Sequence, residues 1–454
     1  MKSPAVASIL LSLLVVECRG ADPTFVSLFN GKDLSGWVPC NIAADTFVAR
    51  DGMLVTTGAP TGTLRSERMY ENFVIEFDWR HMRSGGNSGM FIWADGLPNV
   101  GAPFPRGIEI QVLDPGFDRP GKNQWYTTHG DIFAVQGATL TVAGRVSPSG
   151  RRSFPSEDRV LASPQWNHYR LVANDGQIRL SVNGQEVTVA ENANPRKGYL
   201  MLESEGAECH FRNLRIAELP STGATEEQTA RDTQGFVSLF NGLDLTGWKI
   251  PEGDNGHWRV QRDAIDYDAL SEAKGDKNLW SEKSYRNFEL MVDWRIKETP
   301  YTNPNVFKLL PDGSEALGAD GKPAPISMPD SDSGIFLRGD GRYQVNIWNW
   351  PAGSGEMYSV RRDPSLPAET RAAATPRTKA DRPIGQWNRF EITVVDETVR
   401  VLLNGQTVLP GVTVPGLPPA GPIALQHHGS QRDGKWTSPP SLVQFRNLFI
   451  RELP

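Results

Sequence analysis

One stretch of this chain occurs twice, and that repeat limits the possible folds more than any other feature. Residues 25–37 read FVSLFNGKDLSGW and residues 236–248 read FVSLFNGLDLTGW, so only two of these thirteen positions differ. Further matches follow in the same order. Tyr70, Asn72, Phe73 and the run Asp78-Trp79-Arg80 recur as Tyr285, Asn287, Phe288 and Asp293-Trp294-Arg295. Asn87-Ser88-Gly89 recurs as Asp332-Ser333-Gly334, Gln165-Trp166-Asn167 as Gln386-Trp387-Asn388, and Val182-Asn183-Gly184 as Leu403-Asn404-Gly405. Each copy closes on one pattern, FRNLRIAELP at 211–220 and FRNLFIRELP at 445–454. A repeat of roughly two hundred residues is far longer than the ~20–50 of a solenoid unit. It has the size of a whole domain. The expectation is two copies of one fold, at 24–219 and 236–454, joined by a polar linker of small residues at 220–235.

The strand pattern is that of an all-β protein. Phe73, Ile75, Phe77 and Trp79 alternate with Glu76, Asp78 and Arg80, which predicts a strand with one buried face. Ile108, Ile110 and Val112 alternate with Glu109 and Gln111 in the same way. Asn183-Gly184 and Asn404-Gly405 each stand between two alternating runs, a strong hairpin signal. No window of the first copy sustains a helical period. Two insertions, 298–331 and 361–383, belong to the second copy alone. Long irregular loops on a β scaffold line a site or cap an edge. Many short strands with turns between them predict two tandem antiparallel β-sandwiches.

Charge and composition narrow the partners. The net charge of −6 comes with no basic block, which argues against nucleic acid. Thirteen Trp and 44 Gly suit a turn-rich β protein whose surface stacks on sugar rings. Lys2, the apolar run 5–16 and the small residues around Gly20 read as a secretory signal over 1–20. Cys18 alone would suggest a lipid anchor, but Glu17 before it fits that poorly. No other run is long enough for a membrane helix. The expected location is secreted or periplasmic. Cys40 and Cys209 then remain, either bridged or as two thiols.

The motifs, taken in order, resemble the 3-keto-disaccharide hydrolase family, formerly a domain of unknown function. In the first copy they are LFNGKDLSGW, NSG, IEIQVLD, GDIF, QWNHY, VNG and FRNLRI; in the second, LFNGLDLTGW, DSGIFLRG, YQVNIW, GQWNRF, LLNG, LQHHG and FRNLFI. The resemblance covers nearly the whole chain after the signal. It implies two concanavalin A-like jelly-roll sandwiches. It also implies an oligosaccharide or glycoside substrate whose C3 hydroxyl has been oxidised to a ketone.

Such a ketone acidifies the proton on C2. A base that removes it forms an enediolate, which expels the C1 substituent, and water adds back. The reaction needs a base, a stabiliser for the enolate oxygen and a proton donor. In the first copy Glu109 is the candidate base or metal ligand, and Gln111, two residues on along the same face, a sugar binder. The plain alternative is a solvent-facing Glu. His129 and Asp131 could supply a base or, with Glu109, hold a divalent cation. Arg106 could orient a hydroxyl or pair with Asp95. Glu203 and Glu205 share a face and could add acid character. In the second copy Gln344 and Asn346 stand where Glu109 and Gln111 stand in the first. If that copy is catalytic, His427 or His428 must be the base, helped by Glu356 or Asp332. Gln344, Asn346, Gln426, Arg338 and Trp348 are its candidate sugar binders. The sequence contains no dinucleotide fingerprint, so oxidation of the substrate falls to another protein. A tandem carbohydrate-binding protein without turnover is the alternative reading, and a structural or adhesive module the third.

Overall fold

The computed structural model describes residues 24–117 and 125–454. The expected signal sequence, Cys18 included, lies outside the described residues. Each copy is an antiparallel β-sandwich of jelly-roll, concanavalin A-like type. In copy one a nine-stranded sheet has Asn167–Asn174, Phe73–His81 and Cys209–Glu218 at its centre. It packs on an eight-stranded sheet whose central strands are Gly107–Leu113, Asn87–Ala94 and Tyr199–Ser204. In copy two an eight-stranded sheet centred on Asn287–Ile296 packs on a five-stranded sheet. That smaller sheet runs Trp248–Lys249, Leu279–Tyr285, Gly421–Leu425, Asp332–Leu337, Asp340–Trp348.

The alternation read from the sequence sets these layers. Phe73, Ile75, Phe77 and Trp79 enter the core of copy one, where Ile108, Ile110 and Val112 meet them from the facing sheet. Burying one such side chain contributes about 1.5–3 kcal/mol. The two hairpins turn where expected. Asn183 and Gly184 have φ of 49° and 88°, Asn404 and Gly405 of 51° and 79°. Both residues of a two-residue turn must be left-handed to match the strand twist, which Asn-Gly does at low cost.

Of the insertions of copy two, the first covers the smaller sheet, while the second bridges its edge strand Asp340–Trp348 to Gln406–Thr413 of the larger sheet. Tyr301–Phe307 pairs with Pro325–Asp330 as a separate hairpin, and residues 358–373 carry two short helices. Val306 of the hairpin joins Trp348 and Trp350 in a small buried cluster. Cys40 and Cys209 are both buried and unbridged, Cys40 between the copies and Cys209 in the core of copy one. Among the described residues no helix is long and apolar enough to cross a membrane.

The segment 220–235 is not a free tether. Arg231 forms an ion pair with Glu391 of copy two, while Thr233 accepts from the buried Arg65 of copy one at 2.8 Å. A loop of copy one, residues 95–106, docks on the larger sheet of copy two. Gly101 N donates to Asp293 Oδ2 at 2.8 Å, and Arg389 donates to the Pro98 carbonyl at 2.8 Å. Asp293 is fully buried there and also holds Arg389 and Asn447. Asp78, at the matching position of copy one, instead faces His168 and Arg212 at the surface.

Candidate functional site

The outer face of the eight-stranded sheet in copy one carries the candidate residues, and strand register lays them out in rows. Directly paired residues on neighbouring strands share a face. One row runs Arg65, Met201, Phe91, Glu109 and Phe133. The next runs Thr63, Glu203, Gly89 and Gln111, with Asp131 beyond. A third holds Glu205 and Asn87 at the rim.

Gly89 leaves a hollow at the centre. A methyl group built on Gly89 would lie 2.8 Å from Glu203 Oε2 and 2.9 Å from Glu109 Oε1. The two carboxyl groups therefore reach one spot from opposite sides. Glu109 is 7% exposed and Glu203 1%, so Glu109 is not a solvent-facing residue. Burial, reinforced by the nearby Glu205 charge, pushes the Glu109 carboxyl up to about 8. Burial raises Glu203 well above the ordinary range too, with Glu109 and Glu205 adding to the shift. Glu203 Oε2 has no hydrogen-bond partner.

The surrounding groups hold this hollow in shape. Gln111 Nε2 donates to Asn87 Oδ1 at 2.9 Å, and Asn87 in turn donates to Glu205. Arg152 donates to Gln111 Oε1 at 3.1 Å and to Asp131 Oδ2 at 3.3 Å. Its guanidinium lies between Phe133, 3.4 Å from the ring centroid, and the half-exposed Trp125, at 4.4 Å. Phe104 of the loop 95–106 packs on Phe91 and closes the far end. Access is from the side of Asn87 and Glu205, which are half-buried.

Several expectations from sequence change here. His129 is not brought to Glu109. Its ring faces the Glu157 carbonyl, 3.3 Å from Nε2, and the Asp158 carboxylate, 3.0 Å from Nδ1, and burial lowers its pKa. Asp131 does not offer free metal-ligand oxygens, because Thr127 and Arg152 occupy both. Among the described residues no three His, Cys, Asp or Glu side chains gather as a cation site. Arg106 pairs with Asp95 at 3.2 Å on the covering loop rather than entering the hollow. Asn87 opens the strand Asn87–Ala94. Glu203, Arg152 and Trp125 come from distant segments. The glycine shared by NSG and DSG was the available sign of a hollow.

Copy two repeats the layout with other chemistry. Its rows are Trp280, Ala424, Phe336 and Gln344, then Gln426, Gly334 and Asn346, then Asp332 and Trp348. Gln344 and Gln426 thus replace Glu109 and Glu203, one on each side of a glycine. Glu356 stands where Asp131 does, its carbonyl accepting from Asn346 N at 3.0 Å. Burial pushes its carboxyl up to about 7 and that of Asp332 up to about 6. His428 Nδ1 donates to the Pro439 carbonyl at 2.6 Å, which leaves Nε2 toward Asp332 Oδ2 at 4.0 Å. His427 turns instead to the core residue Tyr267, 2.7 Å away, and burial lowers its pKa to about 4. Trp348 shares the outer face but stacks on Trp350, 4.0 Å between centroids, under the inserted hairpin. Arg338 lies elsewhere. It is 2% exposed and donates to the carbonyls of Asp396 and Pro418 and to Asn287.

A jelly roll with a polar hollow in the outer face of one sheet belongs to the carbohydrate-active class of β-sandwiches. The chain is a member of the 3-keto-α-glucoside-1,2-lyase-like domain family, which matches residues 24–217 and again 235–451. No curated relative matches it. Among solved structures it is similar to a putative glycosyl hydrolase from Parabacteroides distasonis, 22% identical over 43% of this chain and 94% of that one, TM-score 0.35. It is also similar to the carbohydrate-binding module CBM66 from Bacillus subtilis, 12% identical over 40% and 96%, TM-score 0.29. A third is a Bacillus licheniformis β-glucanase, 15% identical over 44% and 98%, TM-score 0.28.

Proposed function

We propose that the protein is an exported enzyme that cleaves 3-keto glycosides, and that copy one performs the chemistry. The observation that carries this reading is the pair Glu109 and Glu203 converging over Gly89. A general acid or base works best when its pKa lies near the operating pH. Glu109, held at about 8, meets that condition. Its ionised form takes the proton from C2 and the ketone oxygen becomes an enolate. Glu203, still protonated, donates to the oxygen leaving C1. Water then adds to C1, and the proton returns to C2. Gln111, fixed by Arg152 and Asn87, presents its amide beside the same hollow for a ring hydroxyl. Trp125 offers an exposed apolar face for stacking on the sugar.

An ordinary retaining glycosidase also uses two carboxyl groups, but one must be an ionised nucleophile. Burial raises the pKa of both groups, which disfavours the ionised nucleophile that route needs. The test is release of glucose from 3-keto-trehalose. kcat/KM is expected to rise with pH and level off above about 8, as Glu109 ionises. Equal cleavage of unoxidised trehalose, or a profile flat from pH 6 to 9, would overturn the reading.

The hollow itself makes a second expectation. In Gly89→Ala the new methyl group meets two side chains and no nearer backbone: Glu203 Oε2, Glu109 Oε1 and, at 3.2 Å, Glu109 Cγ. The protein should fold with a Tm within a few degrees of the parent. The carboxyl groups must part, however, and kcat/KM should fall at least about tenfold, since near-attack geometry tolerates little displacement.

A further inference from the structure

The hollow in copy two has amides where copy one has carboxyl groups, and an amide cannot accept the C2 proton. Its polar atoms nevertheless converge. Gln344 Oε1 and Gln426 Oε1 each lie 3.1 Å from where a methyl group on Gly334 would sit. Both are buried and receive no hydrogen bond, and the same holds for Asp332 Oδ1 and Glu356 Oε2. Asn346, fully buried, has an amide nitrogen that donates to nothing. A buried acceptor without a donor costs about 1–3 kcal/mol. Four such oxygens and one unpartnered amide nitrogen around the strand of Gly334 mark a polar recognition site rather than scattered packing faults.

Beside them is an apolar platform that copy one lacks. Trp280 and Phe336 stand on either side of Ala424, their rings 5.9 Å apart and 22° from parallel. At these positions copy one has Arg65 and Phe91 around Met201, beneath the linker and the loop 95–106. Trp280 is half-exposed. Together, the half-exposed ring of Trp280, backed by the buried Phe336, and the neighbouring polar atoms match a pyranose ring, with its apolar C–H face and its peripheral hydroxyls.

We propose that copy two is a binding site for an unoxidised pyranoside unit and holds it without cleaving it. The acceptors decide the oxidation state. The two unpartnered amide oxygens, of Gln344 and Gln426, call for hydroxyl donors, and a 3-keto ring has lost the donor at C3 and carries an acceptor there. A site built to hydrogen-bond a substrate hydroxyl rejects the analogue lacking it, because its buried polar groups stay unpaired. The two copies then differ in the oxidation state they select, copy one the ketone and copy two the alcohol.

The test titrates methyl α-glucoside and methyl 3-keto-α-glucoside into Glu109→Gln protein, by calorimetry and tryptophan fluorescence. Methyl α-glucoside should bind, and Gln344→Leu with Gln426→Leu should weaken that binding at least tenfold. Trp280→Ala should do the same and serves if the double variant folds poorly. Glu203→Gln, in the other copy, should leave this binding unchanged. Absence of methyl α-glucoside binding in the parent would overturn the proposal, as would binding indifferent to the Gln344 and Gln426 changes. A site in copy two that takes the ketone as tightly as the alcohol would also overturn it. So would turnover that persists in Glu109→Gln and is lost in His428→Ala. Loss of turnover on 3-keto-trehalose alone would touch only the reading of copy one.

Discussion

Glu109→Gln lowers kcat/KM on 3-keto-trehalose by about 10²–10⁴-fold, the usual worth of a positioned general base. The swap keeps the shape of the side chain and its place beside Gly89, so substrate still meets Gln111 and Trp125. The loss therefore appears in kcat, with KM within a few-fold of the parent. Proton exchange at C2 separates this account from its rivals. In the parent, deuterium from solvent enters C2 of the released sugar; in Glu109→Gln that exchange is lost along with cleavage. Cleavage that survives the substitution would mean that another group takes the proton. In Glu203→Gln, exchange at C2 should persist while release of the C1 substituent slows, because the base remains and the proton donor is gone. This split between exchange and release assigns the two carboxyl groups their separate roles.

The second large effect is on stability, and it has the opposite sign. An exposed glutamate ionises near 4.5, whereas Glu109 in the folded protein does so near 8. Between those values the unfolded chain has released a proton that the folded chain retains. Stability from this group thus falls as pH rises from about 4.5 to about 8, and is level above. One unit of difference corresponds to 1.36 kcal/mol, so the cost above pH 8 is roughly 5 kcal/mol. Glu109→Gln removes the ionisation. At pH 8.5 the variant should melt at least about 5 °C above the parent, and the gain should vanish near pH 5. A gain independent of pH would show that Glu109 ionises normally. Loss of activity together with gain of stability is the signature of a strained functional group.

The sandwich was legible because β-structure writes itself in a period of two. The stretch 73–80, the run 108–112 and the two Asn-Gly turns needed only local rules. The repeat then carried each conclusion from one copy to the other. The face shared by Glu109 and Gln111 followed from the same alternation. What local rules do not convey is which strands lie side by side. Glu203 reaches Glu109 across an intervening strand, and nothing near either residue in sequence announces the other. Arg152 arrives from a short strand near the sheet edge and Trp125 from a loop, and the course of both depends on the finished fold. Glycine usually punctuates a chain, but Gly89 and Gly334 stand within strands. At the centre of a sheet its lack of a side chain makes space instead. Arg338 and His129 misled for the converse reason: polar residues near a site in sequence were turned away to satisfy backbone carbonyls and the Asp158 carboxylate.

Asp293 and Asp78 occupy one position in the two copies, yet only Asp293 has been sealed beneath its neighbour's loop 95–106. That loop also roofs one end of the copy-one hollow through Phe104. Ancestrally interchangeable halves have in this way become foundation and superstructure. A half cut free at the linker would bare Asp293 and two apolar side chains, Met291 and Phe449, while the other half would lose the footing of its roof. Duplication, usually a route to modules that can be shuffled, has here tied each half to the other through one loop.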